Sequence, residues 1–80
     1  MGLRYNFPKG YYTMDDRIET ILEHEEGKKI LLEYFAVYLE NERFDMIKKM
    51  PLGSFCKYAE DRISDNVRLE VNDRINQIKK

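Results

Sequence analysis

The sequence predicts an all-α fold, a compact bundle of four to five short helices with an N-terminal arm. Apolar residues recur at intervals of three and four from residue 13 to the C-terminus, which is the period of one helix face. Residues that cap helices stand ahead of several of these runs. Hydrophobic residues make up 42% of the 80 residues and charged residues 36%, a composition typical of a folded domain.

The first twelve residues have a different composition from the rest. Pro8, Gly2 and Gly10 are interleaved with four aromatic residues: Tyr5, Phe7, Tyr11 and Tyr12. Turn-forming residues beside aromatic residues favour a segment that packs onto a domain. We therefore predict an arm, or the remnant of a linker, over residues 1–12 and a helical bundle domain over residues 13–80.

Helix one is predicted to start at Thr13. The hydroxyl of Thr13 is suited to accept from the first turn, and Asp15 and Asp16 place negative charge at the helix N-terminus. The apolar stripe of this helix comprises Met14, Ile18, Ile21 and Leu22. Residues 24–27 interrupt the pattern and end in a glycine, so a turn or a tight helix start is expected there.

Residues 28–40 form the most apolar stretch and predict a central helix that is contacted on several sides. Asn41 is expected to cap a short third helix. Pro51 breaks the pattern or begins a fourth helix, where its missing N–H is harmless. Ser64 is expected to cap a fifth helix that runs to the C-terminus. The predicted core consists of Ile18, Ile21, Leu22, Leu31, Tyr34, Phe35, Tyr38, Phe44, Ile47, Leu52, Phe55, Val71 and Ile75.

Composition disfavours several classes of protein. The formal net charge of −1 gives no overall field toward nucleic acid or anionic lipid, and the single cysteine cannot form an internal disulfide. No apolar run approaches the roughly 20 residues that span a bilayer, and residues 3–12 do not resemble a signal peptide. We expect a cytoplasmic chain, or a piece of a larger protein, with no membrane association.

The sequence offers little for catalysis. His24 lies among Glu23, Glu25 and Glu26, but sequence neighbours on a helix do not converge on one metal ion. Cys56 falls on an apolar stripe, where a buried inert thiol is expected. Paired carboxylates are numerous, yet so small a domain has little room for the cleft that general acid catalysis needs. The interpretation is that the chain is not an enzyme and has no catalytic, cofactor or metal site.

Two features suggest a partner protein. The arm aromatics offer apolar faces with polar tips, although they are also suited to covering the bundle. Residues 15–26 contain six acidic residues and one basic residue, a local charge of −5, whereas Lys48, Lys49 and Lys57 cluster farther along. The candidate partner-binding residues are Tyr5, Phe7, Tyr11, Tyr12, Asp15, Asp16, Glu19 and Glu23; oligomeric state is left open.

One family resemblance is present. It is carried by Tyr12-Thr13-Met14, by the Ile18, Ile21 and Leu22 stripe, by Leu31-Leu32-Glu33-Tyr34 with Leu39, and by Met50-Pro51-Leu52 with Phe55. Over residues 12–78 the chain resembles the small α-helical module found at the C-terminus of some bacterial carbohydrate-active enzymes of the β-glucosidase, xylosidase and esterase types. The resemblance implies a noncatalytic accessory module that packs against a neighbouring hydrolase domain or a partner protein.

The alternative is a small helix-turn-helix-like DNA-associated regulator. In that hypothesis a break at residues 49–51 precedes a short helix and a final helix that carries Arg68, Arg74, Lys79 and Lys80. Acidic residues interleave with these cations, so no basic stripe results and nucleic acid is disfavoured as a partner. DNA affinity would fall steeply with salt, whereas an apolar contact between domains would not.

Overall fold

A computed structural model of the protein describes residues 4–80 and confirms the predicted small all-α bundle. The five helices are α1 (Ile18–Leu22), α2 (Glu25–Leu39), α3 (Phe44–Ile47), α4 (Leu52–Tyr58) and α5 (Asp65–Ile75). The longest helix, α2, packs against both α1 and α5. The described chain is a flattened body of 32 × 32 × 19 Å, and its radius of gyration of 11.6 Å is typical of a compact chain of this length.

Helix α1 begins four residues later than a Thr13 cap would place it, which corrects the predicted start. The Thr13 hydroxyl does accept from the Asp15 N–H at 3.2 Å, but the Asp16 carboxylate accepts from the Thr13 N–H at 2.8 Å and the segment closes as a turn. The first helical residue is Ile18. The Thr13 hydroxyl therefore accepts from a nearby backbone N–H as predicted, but this hydrogen bond belongs to a turn and does not cap a helix.

The helix begins at Ile18 because its first N–H groups find acceptors on a distant segment. The Ile18 N–H donates to the Met50 carbonyl at 3.0 Å, and the Glu19 N–H donates to the Lys48 carbonyl at 2.9 Å. In return, the Leu52 N–H donates to the Asp16 carbonyl at 2.9 Å. The first N–H groups of α1 therefore bind carbonyls of the segment that precedes α4, and the first N–H of α4 binds a carbonyl of the segment that precedes α1. Neither helix has a side-chain cap.

The junction of α1 and α2 is tight. His24 is the N-cap of α2, and its Nδ1 accepts from the Glu26 N–H at 3.1 Å. Gly27 is buried in the first turn, where an added Cβ would lie 2.3 Å from the Ile21 carbonyl oxygen. The predicted interruption over residues 24–27 is a helix start that requires glycine because of this close approach.

Helix α2 is distorted at Phe35, whose φ of −130° and ψ of 24° are not helical. The helix is also less enclosed than predicted, because Leu32 and Val37 on it are exposed. Asn41 lies in the turn ahead of α3, where its Oδ1 accepts from the Arg43 N–H at 2.8 Å, but it does not cap that helix as predicted, because the N-cap of α3 is Arg43 and no side chain caps it. Ser64 caps α5 as predicted, with its hydroxyl accepting from the Val67 N–H at 3.3 Å, but the helix ends at Ile75 and does not run to the C-terminus as predicted.

The core is assembled from all helices except α3. Eight of the predicted core residues are fully buried, whereas Leu22, Tyr34, Tyr38, Phe44 and Ile47 are only partly buried around them. Additional buried apolar positions come from turns and helix ends. The buried apolar side chains are those of Met14, Ile18, Ile21, Ile30, Leu31, Phe35, Leu52, Phe55, Cys56, Ala59, Ile63, Val71, Ile75 and Ile78.

The described part of the arm folds back onto the domain and pairs with the C-terminal residues. Gly10, at a φ of +84°, allows the turn in which the Tyr11 N–H donates to the Pro8 carbonyl. The Tyr12 N–H then donates to the Ile78 carbonyl at 3.0 Å, and the Lys80 N–H donates to the Gly10 carbonyl at 2.7 Å. We call this antiparallel pairing of residues 10–12 with residues 78–80 the terminal clasp.

Candidate functional site

A groove runs between the C-terminal part of α2, the short helix α3 and the end of α4. Its volume is about 370 Å³. The side chains along it are aromatic, aliphatic and charged: Val37, Tyr38, Asn41, Arg43, Ile47, Phe55, Tyr58, Ala59, Asp61 and Arg62. We call these the groove residues.

Two of the groove residues are among the most exposed large apolar side chains of the described chain. Val37 is 78% exposed and Tyr58 is 72% exposed. Beneath them lies Phe55, which is buried and packs edge to face on Tyr38, with ring centroids 5.1 Å apart. Phe35, at the distortion of α2, contacts both of these rings, with its centroid 5.7 Å from that of Phe55 and 6.3 Å from that of Tyr38. The groove therefore has a rigid aromatic floor and an apolar edge that is open to solvent.

The groove is lined by two cationic side chains that form no ion pair within residues 4–80. Among the ion pairs of residues 4–80, none includes Arg43 or Arg62. Asp61 is the acidic residue of the rim, so the rim has two positive charges and one negative charge. Asn41 adds an amide whose Oδ1 is already occupied by the Arg43 N–H, and its NH₂ group remains a donor toward the groove.

A second depression, of about 500 Å³, lies between the start of α2 and the end of α5. Its charged side chains have opposite signs, with Glu26 beside Arg74 and Lys79. Its apolar residues, Ile30 and Ile78, are buried and present little apolar surface. We regard it as a surface irregularity of the packed domain, although its volume is larger than that of the groove.

Three of the predicted partner-binding residues have structural contacts. Tyr5 and Tyr12 pack against the core, and burial raises the pKa of the Tyr5 hydroxyl. Asp16 accepts from Lys80 Nζ at 2.8 Å as well as from the Thr13 N–H. Lys80 Nζ also lies 5.6 Å from the centre of the Tyr12 ring. Tyr12, Asp16 and Lys80 therefore hold the terminal clasp to the bundle, and Tyr5 packs on the core separately.

The other predicted partner-binding residues lie at the surface but do not form a pocket. Phe7, Tyr11, Asp15 and Glu23 are exposed, and Glu19 is partly exposed. None of them lines either of the two depressions described above. The structure separates them from the groove, so the predicted site and the groove are different surfaces.

The residues considered for catalysis have packing or capping contacts. The His24 ring packs edge to face against Tyr12 at 5.6 Å while its Nδ1 caps α2. Burial raises the pKa of the Cys56 thiol to about 12, which keeps it protonated at neutral pH. Within residues 4–80, no three His, Cys, Asp or Glu side chains lie together as a metal-binding group.

The cations of the proposed DNA-contacting helix are largely engaged within the fold. Arg68 pairs with Asp65 and Arg74 pairs with Glu33, and Lys80 pairs with Asp16. Arg74 also donates to the Tyr34 hydroxyl at 3.2 Å and lies over its ring. Phosphate contacts would have to compete with these intramolecular partners, which disfavours the helix-turn-helix hypothesis.

The groove residues were not identified as a site from the sequence. One usable signal was present, because Tyr58 lies off the helical stripe formed by Leu52, Phe55, Cys56 and Ala59. An apolar side chain off the buried stripe of a short helix is expected to be exposed. Nothing in the sequence placed Val37 of α2 along the same groove as Tyr58, since that placement depends on how the helices pack.

No helix within residues 4–80 combines the length and the apolar character needed to cross a bilayer. No family model, curated protein or solved structure matched the chain.

Proposed function

We propose that the chain is a noncatalytic interaction module that binds a partner protein, or a neighbouring domain of the same polypeptide, through the groove. The observation that supports this most strongly is the exposure of Val37 and Tyr58 directly beside a buried aromatic floor. Large exposed apolar side chains are unfavourable in water unless they are covered on binding, and contiguous ones mark interaction sites.

The composition of the groove agrees with this proposal. The centres of protein interfaces are enriched in tyrosine, phenylalanine and arginine, and depleted in lysine and glutamate. The groove has Tyr38, Tyr58 and Phe55 with Arg43 and Arg62, and it contains no lysine or glutamate among the described residues. Two exposed anchors beside arginines resemble the small set of residues that provides most of the binding energy in a protein interface.

The mode of action follows from the fold. The floor of the groove is held by the Phe35, Tyr38 and Phe55 ring contacts, so the site is formed before a partner arrives. A preformed site avoids much of the ordering cost of association. The attachment of the module to a carbohydrate-active hydrolase, which the sequence resemblance implies, stays a prediction about the identity of the partner.

Site-specific photo-cross-linking tests the proposal. A benzophenone amino acid is placed at position 58 of the chain produced in its native cells, and at the exposed aromatic position 7 as a control. We expect one discrete heavier species from position 58, identified by mass spectrometry, and none from position 7. A hydrolase in that species would support the appended-module prediction. Absence of a species from position 58, or equal yields from the two positions, would contradict binding through the groove.

A further inference from the structure

We propose that the segment of the partner that occupies the groove is an acidic peptide, with one or two large apolar side chains flanked by carboxylates. This inference rests on the proposed function and deepens it by naming the chemistry of the partner.

The size of the groove favours a few side chains of a peptide. Its volume of about 370 Å³ is at the lower end of ligand-binding pockets, and it is open along the surface between α2, α3 and the end of α4. The aromatic floor provides apolar contact for an aliphatic or aromatic side chain. Val37 and Tyr58 stand at the edge, where they would cover the flanks of such a side chain.

The polar groups of the rim are mainly donors. Arg43 and Arg62 each present a guanidinium group that no carboxylate of residues 4–80 pairs with, and the Asn41 NH₂ is a further donor. Guanidinium groups bind carboxylates through two parallel hydrogen bonds, a geometry that an ammonium group does not provide. Asp61 lies on the same rim and would repel an anion that approached from its side, so carboxylates are favoured beside the two arginines.

The charge of the groove residues themselves agrees with this preference. They include two arginines and one aspartate, a net charge of +1, in a chain whose formal net charge is −1, and the acidic neighbours Glu40, Glu42 and Glu60 are not among the residues that line the groove. Residues 15–26 carry the opposite excess. A basic peptide would meet like charge at the groove and would be attracted to the other segment. Charge complementarity therefore selects an acidic partner for the groove.

The proposal is tested by panning a display library of random 12-residue peptides against the full 80-residue chain. Recovered peptides are synthesised with a fluorophore, and their Kd values are measured by anisotropy at two salt concentrations. We expect enrichment of peptides that combine a large apolar residue with two or more Asp or Glu residues. The variants are Tyr58→Ser and the double variant Arg43→Gln/Arg62→Gln, with the fold of each checked by circular dichroism.

Each variant has a matched control. Phe7→Ser removes an exposed aromatic side chain outside the groove, and Arg17→Gln removes an exposed cation outside it. We expect Tyr58→Ser to weaken binding about tenfold or more. The double variant should weaken binding about three- to tenfold and reduce its salt dependence. Both controls should leave the Kd within twofold of that of the native chain.

The outcomes separate the two proposals. Peptides that lose affinity with Tyr58→Ser but are neutral or basic would overturn the acidic partner and leave binding through the groove standing. If no recovered peptide loses affinity with Tyr58→Ser, both proposals fail. A 12-nucleotide poly-dT probe that binds more tightly than every peptide, and does so through the two arginines, would overturn the acidic peptide in favour of nucleic acid.

Discussion

The terminal clasp and the groove are built from similar residues but use them differently. At the clasp, Lys80 lies over the ring of Tyr12 and pairs with the carboxylate of Asp16. At the groove, aromatic residues and cations line the same depression, but Arg43 and Arg62 are in none of the ion pairs of residues 4–80. A cation stabilises the fold where an internal carboxylate pairs with it, as at the clasp. At the groove no such pair forms, so the two arginines are available to a partner.

The exposure of the aromatic residues shows the same contrast. Tyr12 is partly buried and packs on both His24 and the core, whereas Tyr58 is 72% exposed. Burying an aromatic side chain stabilises the chain by removing apolar surface from water. Tyr12 at the clasp provides this stabilisation in the folded chain, whereas the exposed Tyr58 at the groove does not. Substitutions near the clasp should therefore affect stability, and substitutions at the groove should affect binding.

The largest effect is expected at the α1–α2 junction, which the clasp contacts through His24. In Gly27→Ala, the added Cβ would lie 2.3 Å from the Ile21 carbonyl, so the two helices must move apart. We expect a loss of about 3 kcal/mol in the free energy of unfolding, despite the roughly 1 kcal/mol by which alanine favours a helix over glycine. Urea denaturation measures it. Lys28→Ala, at the next and exposed position, is the control, and equal stability of the two variants would contradict the steric explanation.

The next effect is expected from the buried amide of Asn72. Its Oδ1 accepts from the Asn6 N–H at 3.2 Å and from Asn76 Nδ2 at 3.1 Å, so it fastens the arm to α5. Asn72→Ala should lower the free energy of unfolding by about 2 kcal/mol, because two donors lose their acceptor and a small cavity forms. Amide hydrogen exchange should also accelerate at Asn6. Asn66→Ala, an exposed change on the same helix, is the control: alanine favours a helix over asparagine, so this variant should lose no stability, and equal losses in the two variants would contradict the role of the Asn72 amide.

A smaller difference in stability is expected between substitutions at the adjacent residues Asp15 and Asp16. Asp16 accepts from the Thr13 N–H and pairs with Lys80, whereas Asp15 is exposed. We expect Asp16→Ala to lower the free energy of unfolding by about 1 kcal/mol and Asp15→Ala to change it by less than about 0.5 kcal/mol. Thermal denaturation at neutral pH compares them. Equal losses would mean that both act through the local charge, and the structural role of Asp16 would be wrong.

The smallest effect on stability is expected at the groove. Val37→Ser and Tyr58→Ser remove side chains that are mostly exposed, so each should change the free energy of unfolding by less than about 0.5 kcal/mol. Met46→Ser is a matched control, since Met46 is 74% exposed but does not line the groove. All three variants should unfold at nearly the native urea concentration. A loss above about 1 kcal/mol for Tyr58→Ser alone would show that Tyr58 stabilises the fold, which would weaken the contrast between the two regions.

Much of the architecture was predictable because it depends on local pattern. The stripe of α4 buries Leu52, Phe55, Cys56 and Ala59 as expected, and Ser64 caps α5. These features depend on residues within one or two helical turns, where side-chain spacing and capping chemistry act directly. Ile63 was missed as a core residue because it lies in a turn, outside any periodic run.

The candidate site was less predictable. The sequence predicts a partner-binding site at the aromatic residues of the arm and the acidic residues near residue 15, because both sets cluster in sequence. The structure places Tyr5, Tyr12 and Asp16 in packing and ion-pair contacts. Clustering in sequence does not show whether a charge has an internal partner, and Lys80 pairs with Asp16 from 64 residues away.

The helical class, the approximate number of helices and most of the residues that face the core follow from the period of apolar residues in the sequence. The start of α1 does not, since its first donors bind carbonyls of Lys48 and Met50. The pairing of residues 10–12 with residues 78–80, and the placement of Val37 and Tyr58 along one groove, likewise appear only in the folded chain. These features depend on contacts between distant segments, and such contacts form only when the whole core is packed.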